Sequence, residues 1–432
     1  MSGPFDGITV VEFGQFVVVP FCAQLLADGG ARVIKVEPPT GDSYRSGPAQ
    51  LAPGETRQFM IKNRGKESVS LDLGHPDAAP VVRRLVSLAD VVLVNLSPAA
   101  VLRRGLDYQS LATMNPSVVY GAVSAYGSVG PESGLPGMDV VVQARSGLMS
   151  SLAAEQDGVP HHSEVQVADY SSALLLFAGI ASALYVRERT GLGQRVDVSL
   201  LGGALAVQNN SLAHVYGADD WRPEFVEALS GLRRANATHA QVEQVRRSLR
   251  PDPPTHTAHY RAFRTADGDV ALGAGSPAAR RRLAVLTGLD ETLALSDPDR
   301  FGTLLAQLLR TQPSAHWVSL LQGGDVPVAA VRHVDEVMFD PHVEAEELLA
   351  DYDHPVVGRY RALAAPLRMS ATPLDRRQAS PSFAADTAAV LRELGFDEDE
   401  LSALQEAGAV VCVPPGIAAP SDLPATTSPR SP

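Results

Sequence analysis

A lone carboxylate, Asp169, stands just ahead of a run of small and apolar residues from Ala173 to Val186. The run is rich in Ala and Leu and free of proline, which predicts a helix. Arg187-Glu188-Arg189 closes it, and an apolar stretch this short predicts a buried core helix rather than a bilayer span. An aspartate at the start of such a helix has two readings. As an N-cap it would accept hydrogen bonds from the first free N–H groups, worth about 1 kcal/mol. As a nucleophile it would stay ionised against the positive end of the helix although largely desolvated, and could attack an activated acyl carbon. Caps of this kind far outnumber aspartyl nucleophiles, and the residue pattern alone leaves both readings open.

The elements around Asp169 are short apolar strands alternating with helices. Residues 8–13 (ITVVEF) and Arg32 to Glu37 (RVIKVE) read as buried strands, with a helix from Pro20 to Asp28 between them and Gly29-Gly30 ending it. This is a βαβ opening of Rossmann type. Its first turn, Phe13 to Pro20, lacks G-x-G-x-x-G, and Val17, Val18 and Val19 would block a dinucleotide pyrophosphate, so an NAD-dependent oxidoreductase is disfavoured. Further strands are expected at Ser68 to Leu73, Asp90 to Leu96, Ser117 to Ala125 and Gln194 to Ser199. Helices are expected at Asp77 to Leu88 and Met138 to Met149. The pattern predicts an α/β fold with a mainly parallel sheet.

From about residue 216 the character changes. Residues 219–258 carry many charges and predict an exposed helical excursion ending in a bend at Pro251-Asp-Pro-Pro254. A smaller α+β unit follows, with strands near Tyr260–Phe263 and Val270–Gly273. Pro414 to Pro432 has the Pro/Ser/Thr/Ala composition of a disordered tail.

With 432 residues, two domains and ample core are expected. The hydrophobic share of 45% and charged share of 20% describe a globular protein. A net charge of −13 argues against nucleic acid or an anionic membrane as partner. It leaves room for an anionic cofactor held by a few cations. Cys22 and Cys412 are far apart and lack ligand spacing, so neither a disulfide scaffold nor a metal site is expected. The N-terminus has no secretory pattern, and a cytoplasmic location is expected.

Several dispersed stretches, taken in order, carry a resemblance. They are Val11-Glu-Phe13 through Pro20, Gly30 to Pro39 with Gly41-Asp42, Asn63-Arg-Gly-Lys66 with Ser70-Leu-Asp-Leu73, and Asn95 to Tyr108. Later come Asn115-Pro116, Val119-Tyr-Gly121, Gly137-Met-Asp-Val-Val-Val-Gln-Ala-Arg-Ser-Gly147 and Val167-Ala-Asp169. Echoes follow at Phe263 to Gly268, Asp340 to Val343, His354-Pro355 and Pro366 to Ser370. Together they resemble the class III CoA transferases, the family of formyl-CoA and carnitine CoA-transferases, with alpha-methylacyl-CoA racemase as a cousin. The resemblance covers about residues 5–412.

That resemblance implies a CoA transferase with Asp169 as nucleophile, carrying CoA from an acyl-CoA to a free carboxylic acid through aspartyl anhydride and aspartyl-CoA intermediates. It implies that Gln15 donates a hydrogen bond to the acyl-enzyme oxyanion. Asn63 and Lys66 fall in the family's phosphate and backbone contact segment, and Arg103, with Arg104 beside it, at a CoA contact. Asn95 and the Gly137-Met138 turn would line the thioester end. No metal and no tightly bound cofactor are implied; coenzyme A enters as the acyl-CoA substrate. The implied architecture is a Rossmann-like large α/β domain formed by both chain ends (1–215 and 326–412), a smaller inserted α+β domain (216–325) and a tail (413–432), in an interlocked homodimer.

The sequence departs from the family in places. Gln15 and Val17 stand where formyl-CoA transferase has His and Gln, Ser97 replaces an Arg before Pro98, and Ala384-Ala-Asp-Thr387 replaces G-E-H-T. The racemase's G-H-D is Gly137-Met138-Asp139 here, and a thioether cannot shuttle a proton. His161 and His162 read as exposed loop residues. Acyl-CoA racemisation and non-catalytic acyl-CoA binding are the alternatives to transfer. Val17–Val19 and Met138 suggest a larger, less polar acyl group than formyl or oxalyl.

Overall fold

The computed structural model describes residues 3–47, 49–152, 154–250, 258–374 and 378–414. The expected tail beyond Pro414 and the bend at Pro251–Pro254 lie outside these residues. The chain forms two compact units. One extends to Ala213 and resumes at Ala345; the other is His214–Glu344.

Six strands of the first unit form one sheet: β1 (Thr9–Phe13), β2 (Arg32–Glu37), β3 (Lys66–Ser70), β4 (Val91–Val94), β5 (Val119–Ser124) and β6 (Arg195–Ser199). Every pairing is parallel, and the order is β3-β2-β1-β4-β5-β6. This is the strand order of Rossmann sheets, reached without their glycine fingerprint. The strands are rich in Val and Ile because both faces are covered. On one face Val10, Val33, Val91 and Leu93 meet helix α1 (Val18–Asp28) and Leu176, Ile180 and Ala183. On the other, Val11, Ile34 and Val92 pack against Val81 and Leu85 of the helix Ala78–Leu88.

Three helix boundaries differ from the sequence reading. Helix α1 begins at Val18, so Val18 and Val19 belong to its buried first turn rather than to a loop. The region Met138 to Met149 breaks: helix α2 (Asp139–Arg145) ends before Gly147, which takes a φ of 80°, open to glycine but rarely to other residues. Helix α3 (Val167–Thr190) is longer than the apolar run from Ala173. At 24 residues it reaches the length and composition of a membrane span, against expectation. Its small and apolar side is nevertheless spent inside this fold: Ala168 and Ala173 lie in one buried cluster, Leu176 and Ile180 in another.

The returning chain seals the exposed edge of β3. Asp386 Oδ2 accepts from the Ser68 N–H at 2.8 Å, Thr387 Oγ1 from that of Ser70 at 3.0 Å, and the Ala409 carbonyl from that of Asp72 at 2.8 Å. An unpaired edge is a template for aggregation, and these contacts cover it. The Ala384–Thr387 segment therefore has a packing role.

The second unit has an antiparallel sheet of Tyr260–Arg264, Asp269–Gly273 and Val328–Ala330. Phe263, Leu272, Phe301, Trp317 and Leu321 form its core with the helices Pro298–Leu309 and Ser314–Gly323. Its sheet takes in chain beyond residue 325. Helix Trp221–Arg234 buries no residue.

Beneath the carboxyl end of β1 lies a buried ion cluster. Glu12 accepts from Lys35 Nζ at 3.0 Å and Lys66 Nζ at 2.7 Å, with all three side chains fully buried. Lys35 also donates to the Gly14 carbonyl at 2.7 Å and pairs with Asp42 at 2.9 Å. Lys66 donates to the Pro20 carbonyl at 2.9 Å and to Asn63 Oδ1 at 2.7 Å. Burial brings the Lys66 ammonium down to about 8, with Glu12 pulling the other way. Glu12→Ala would strand the buried Lys66 ammonium and leave Lys35 with Asp42 alone, so urea unfolding should show a loss of about 3–5 kcal/mol. A loss below about 1 kcal/mol, the value of a surface pair, would refute this account.

Candidate active site

In an open parallel sheet, ligands bind outside the carboxyl ends of strands where the connections turn opposite ways. Here that point lies between β1 and β4. Gln15 follows β1, Asn95 follows β4, and the two hold each other. The Gln15 N–H donates to Asn95 Oδ1 at 3.1 Å, and Asn95 Nδ2 donates to the Gln15 carbonyl at 2.7 Å. Phe16, next in the loop, has a φ of 68°. For a bulky residue that is strained backbone, held by its surroundings. Gln15 Oε1 accepts from the Ser43 hydroxyl at 2.8 Å, which leaves its Nε2 as the donor end.

A cavity of about 530 Å³ opens there. Gln15, Asn95, Gly137, Met138 and Asp169 all line it, with apolar walls that include Val17, Leu96, Val101 and Leu102. Gly137 is required by close approach, since a Cβ there would stand 2.5 Å from that of Ala125.

Asp169 is the third residue of α3 and is 7% exposed. Its carboxylate is not the cap. Asp139, the first residue of α2, turns Oδ1 to the N–H groups of Ala168 at 2.8 Å and Asp169 at 3.1 Å. The other Asp139 oxygen accepts from Gln143 Nε2, one turn along α2. Gln143 also grips the approach to α3: the Ser163 N–H donates to its Oε1 at 2.9 Å, and its Nε2 donates to the Ser163 carbonyl at 3.2 Å. A carboxylate from another helix thus satisfies the free N–H groups of α3, which extends the helix back to Val167 and leaves the Asp169 side chain to the cavity.

The site carries a charge imbalance. Burial pushes the Asp169 carboxyl up to about 7, the Asp139 charge adds to this, and Lys62 opposes it. At neutral pH both protonation states are populated. The ionised form can attack an acyl carbon, beside walls that are largely apolar.

The other residues singled out in the sequence lie elsewhere. Asn63 and Lys66 do not line the cavity. Lys66 spends its ammonium on Glu12, Pro20 and Asn63, so both residues are structural here, against the expected contact with CoA phosphates. Arg103 is exposed and Arg104 half-buried, at the end of the short helix Pro98–Arg103. Val101 and Leu102 of that helix face the cavity, while the two arginines stand outside its lining. His161 and His162 stack on each other at 4.7 Å, also outside it. Among the described residues no three His, Cys, Asp or Glu side chains are grouped to hold a metal.

Sequence reasoning gave no role to Asp139, Gln143, Ser43, Tyr44 or Lys62. The i, i+4 spacing of Asp139 and Gln143 was a usable signal, because it puts both on one helix face. Nothing local marks Lys62.

Comparison with known proteins gives a consistent picture. The model of CoA-transferase family III matches residues 5–387. A succinate–glutarate CoA-transferase of Agrobacterium fabrum is 31% identical over 90% of this chain and 96% of its own. An acetyl-CoA:oxalate CoA-transferase of Acetobacter aceti is 31% identical over 81% and 86%. The crystal structure of a CAIB/BAIF family protein from Brucella suis superposes with a TM-score of 0.71 at 28% identity, covering 91% of this chain and 100% of that one.

Asp139→Ala removes the cap of α3 and should lower stability by about 1–2 kcal/mol. Asp139→Asn keeps an acceptor for both N–H groups and should lower it less. Parallel denaturant titrations check the order, and equal losses would show that the cap is not what Asp139 supplies.

Proposed function

Because the chain belongs to CoA-transferase family III, we propose that it moves CoA from an acyl-CoA to a free carboxylic acid with Asp169 as the covalent carrier. The observation that carries this is the division of labour at α3: Asp139 does the capping, and Asp169 faces the cavity. The Asp169 carboxylate attacks the thioester carbonyl, giving a mixed anhydride and CoA thiolate. The thiolate attacks the aspartyl carbonyl, releasing the donor acid and leaving aspartyl-CoA. An incoming carboxylate attacks that thioester, and the freed thiolate then takes the acyl carbon of the new anhydride. Asp169 is regenerated and the new acyl-CoA leaves. Each step exchanges one activated acyl bond for another, which needs water kept out.

Gln15 Nε2 is the donor suited to the oxyanion, since Ser43 occupies its Oε1. The apolar walls suit the pantetheine arm. With Asn63 and Lys66 committed to the core, Arg103 and Arg104 remain of the residues that the resemblance offers for the phosphates. The acids in the relatives' names are all carboxylates, which supports a carboxylic acid as acceptor. Val17 and Met138 in the lining favour a larger, less polar acyl group than formyl or oxalyl; fast turnover with formate or oxalate and none with branched or longer acids would exclude this. Racemisation is not favoured, because Met138 cannot exchange a proton and neither His161 nor His162 lines the cavity. A homodimer is supported by Val140, Val141, Leu174, Leu175 and Tyr185, which α2 and α3 leave exposed.

Intact-protein mass spectrometry after incubation with a panel of acyl-CoAs should reveal a CoA-sized adduct on Asp169 that hydroxylamine removes and Asp169→Ala lacks. Binding without an adduct would point to the isomerase or silent-binder alternative. The attacking form is the carboxylate, so kcat/KM should fall as pH drops through about 7 and level off above it. A flat profile from pH 5 to 8 would contradict Asp169 as the ionising nucleophile.

A further inference from the structure

The cavity beside Asp169 is charged against the acid it would receive. When that acid arrives Asp169 is an uncharged thioester, and the described lining still holds Asp107, Asp139 and Asp197 against Arg195, which is paired with Asp197 at 2.7 Å. A free carboxylic acid is an anion at neutral pH, so this field opposes its approach.

Lys62 lies outside that lining, and no salt bridge commits it to a carboxylate of the described residues. It is 1% exposed, and its ammonium donates to Gln58 Oε1 at 2.7 Å. No carboxylate of the described residues lies within ion-pair distance of it. Its Nζ sits 5.1 Å from the centre of the Tyr44 ring. That ring links it to both parts of the site. The Tyr44 hydroxyl accepts from Gln166 Nε2 at 3.3 Å, one residue ahead of α3, and the ring packs edge-on against Phe16 at 5.5 Å, one residue past Gln15. A buried ammonium without a counter-ion is costly to hold, so its retention calls for a compensating charge. The charges that act on Lys62 are those of Asp169 and Asp42, and Asp42 is already paired with Lys35. The Asp169 carboxyl in turn feels the charges of Asp139 and Lys62, and its own charge acts on the Tyr44 and Tyr170 hydroxyls.

We propose that Lys62 is a positioning residue for transfer: across the Tyr44 ring, its ammonium offsets the negative charge of Asp169 and of the carboxylate that comes to collect CoA. This rests on Asp169 being the nucleophile, and it assigns to Lys62 two effects, one on the KM of the acid and one on the pH at which Asp169 ionises. Lys62 opposes the upward push on the Asp169 carboxyl, so removing it raises the pH at which Asp169 ionises.

The test compares wild type, Lys62→Met, Lys62→Gln and Lys62→Arg, with acetate and glutarate as acids and their CoA thioesters as donors. Lys62→Met should raise KM for the acid about tenfold or more and leave KM for the acyl-CoA unchanged. It should also move the acid limb of kcat/KM to higher pH. Lys62→Gln, neutral but polar, should behave like Lys62→Met and covers the case in which the methionine variant does not fold. Lys62→Arg should recover most of both effects. Equal changes in the two KM values, an unmoved acid limb, or an arginine variant no better than the neutral ones would overturn the proposal. The aspartyl-CoA adduct separates the two levels: if wild type forms none, the nucleophile assignment fails and the Lys62 proposal with it. If it forms in every variant and the limb stays put, only the Lys62 proposal fails.

Discussion

Glu12 places a carboxylate in the middle of a six-stranded sheet, out of reach of water, and much of the large unit is arranged around that fact. An ion so placed must be paired and hydrogen-bonded or it unfolds the region that holds it. Two lysines meet it, Lys35 from β2 and Lys66 from β3, so one carboxylate crosslinks three neighbouring strands. The lysines then reach beyond it. Lys35 holds the Gly14 carbonyl and Asp42, and Lys66 holds the Pro20 carbonyl in the first turn of α1. These are the two ends of the loop that carries Gln15. The loop needs no glycine-rich turn, because buried charges hold its backbone.

The site repeats this device at its other wall. Asp139 is a second desolvated carboxylate that binds backbone rather than ligand. By accepting from Ala168 and Asp169 it joins α2 to α3, and through Gln143 it fixes the strand of chain leading into α3. The consequence for chemistry is indirect. A helix N-terminus stabilises negative charge, but its N–H groups are consumed by Asp139, and the Asp139 charge disfavours ionisation of its neighbour. Asp169 is consequently a carboxylate poised near neutrality rather than deeply ionised. A carboxylate strongly stabilised by helix N–H groups is a weak nucleophile, and one deprived of them is a stronger one.

Much of this was legible in the chain. The parallel α/β class follows from short Val- and Ile-rich runs alternating with helical periodicity, and these patterns are local. Asp169, Gln15, Asn95, Gly137 and Met138, singled out from motifs, share one cavity. Lys66 and Asn63 went the other way, since a lysine followed by a strand looks the same whether it points to solvent or to a buried glutamate far away in sequence. The start of α3 was misjudged for the same reason: its cap belongs to another helix, and no rule about adjacent residues can see it.

The sequence by itself therefore determined the chemical groups available, the order of strands and helices, and the absence of a dinucleotide fingerprint. These depend on residue type and on spacings of a few residues, which local backbone geometry and apolar periodicity express. Tertiary structure alone decided which carboxylate caps and which faces the cavity, which lysine is locked onto Glu12 and which is buried with no carboxylate partner among the described residues. Those outcomes depend on desolvation and on Coulomb interactions between groups that only folding brings together.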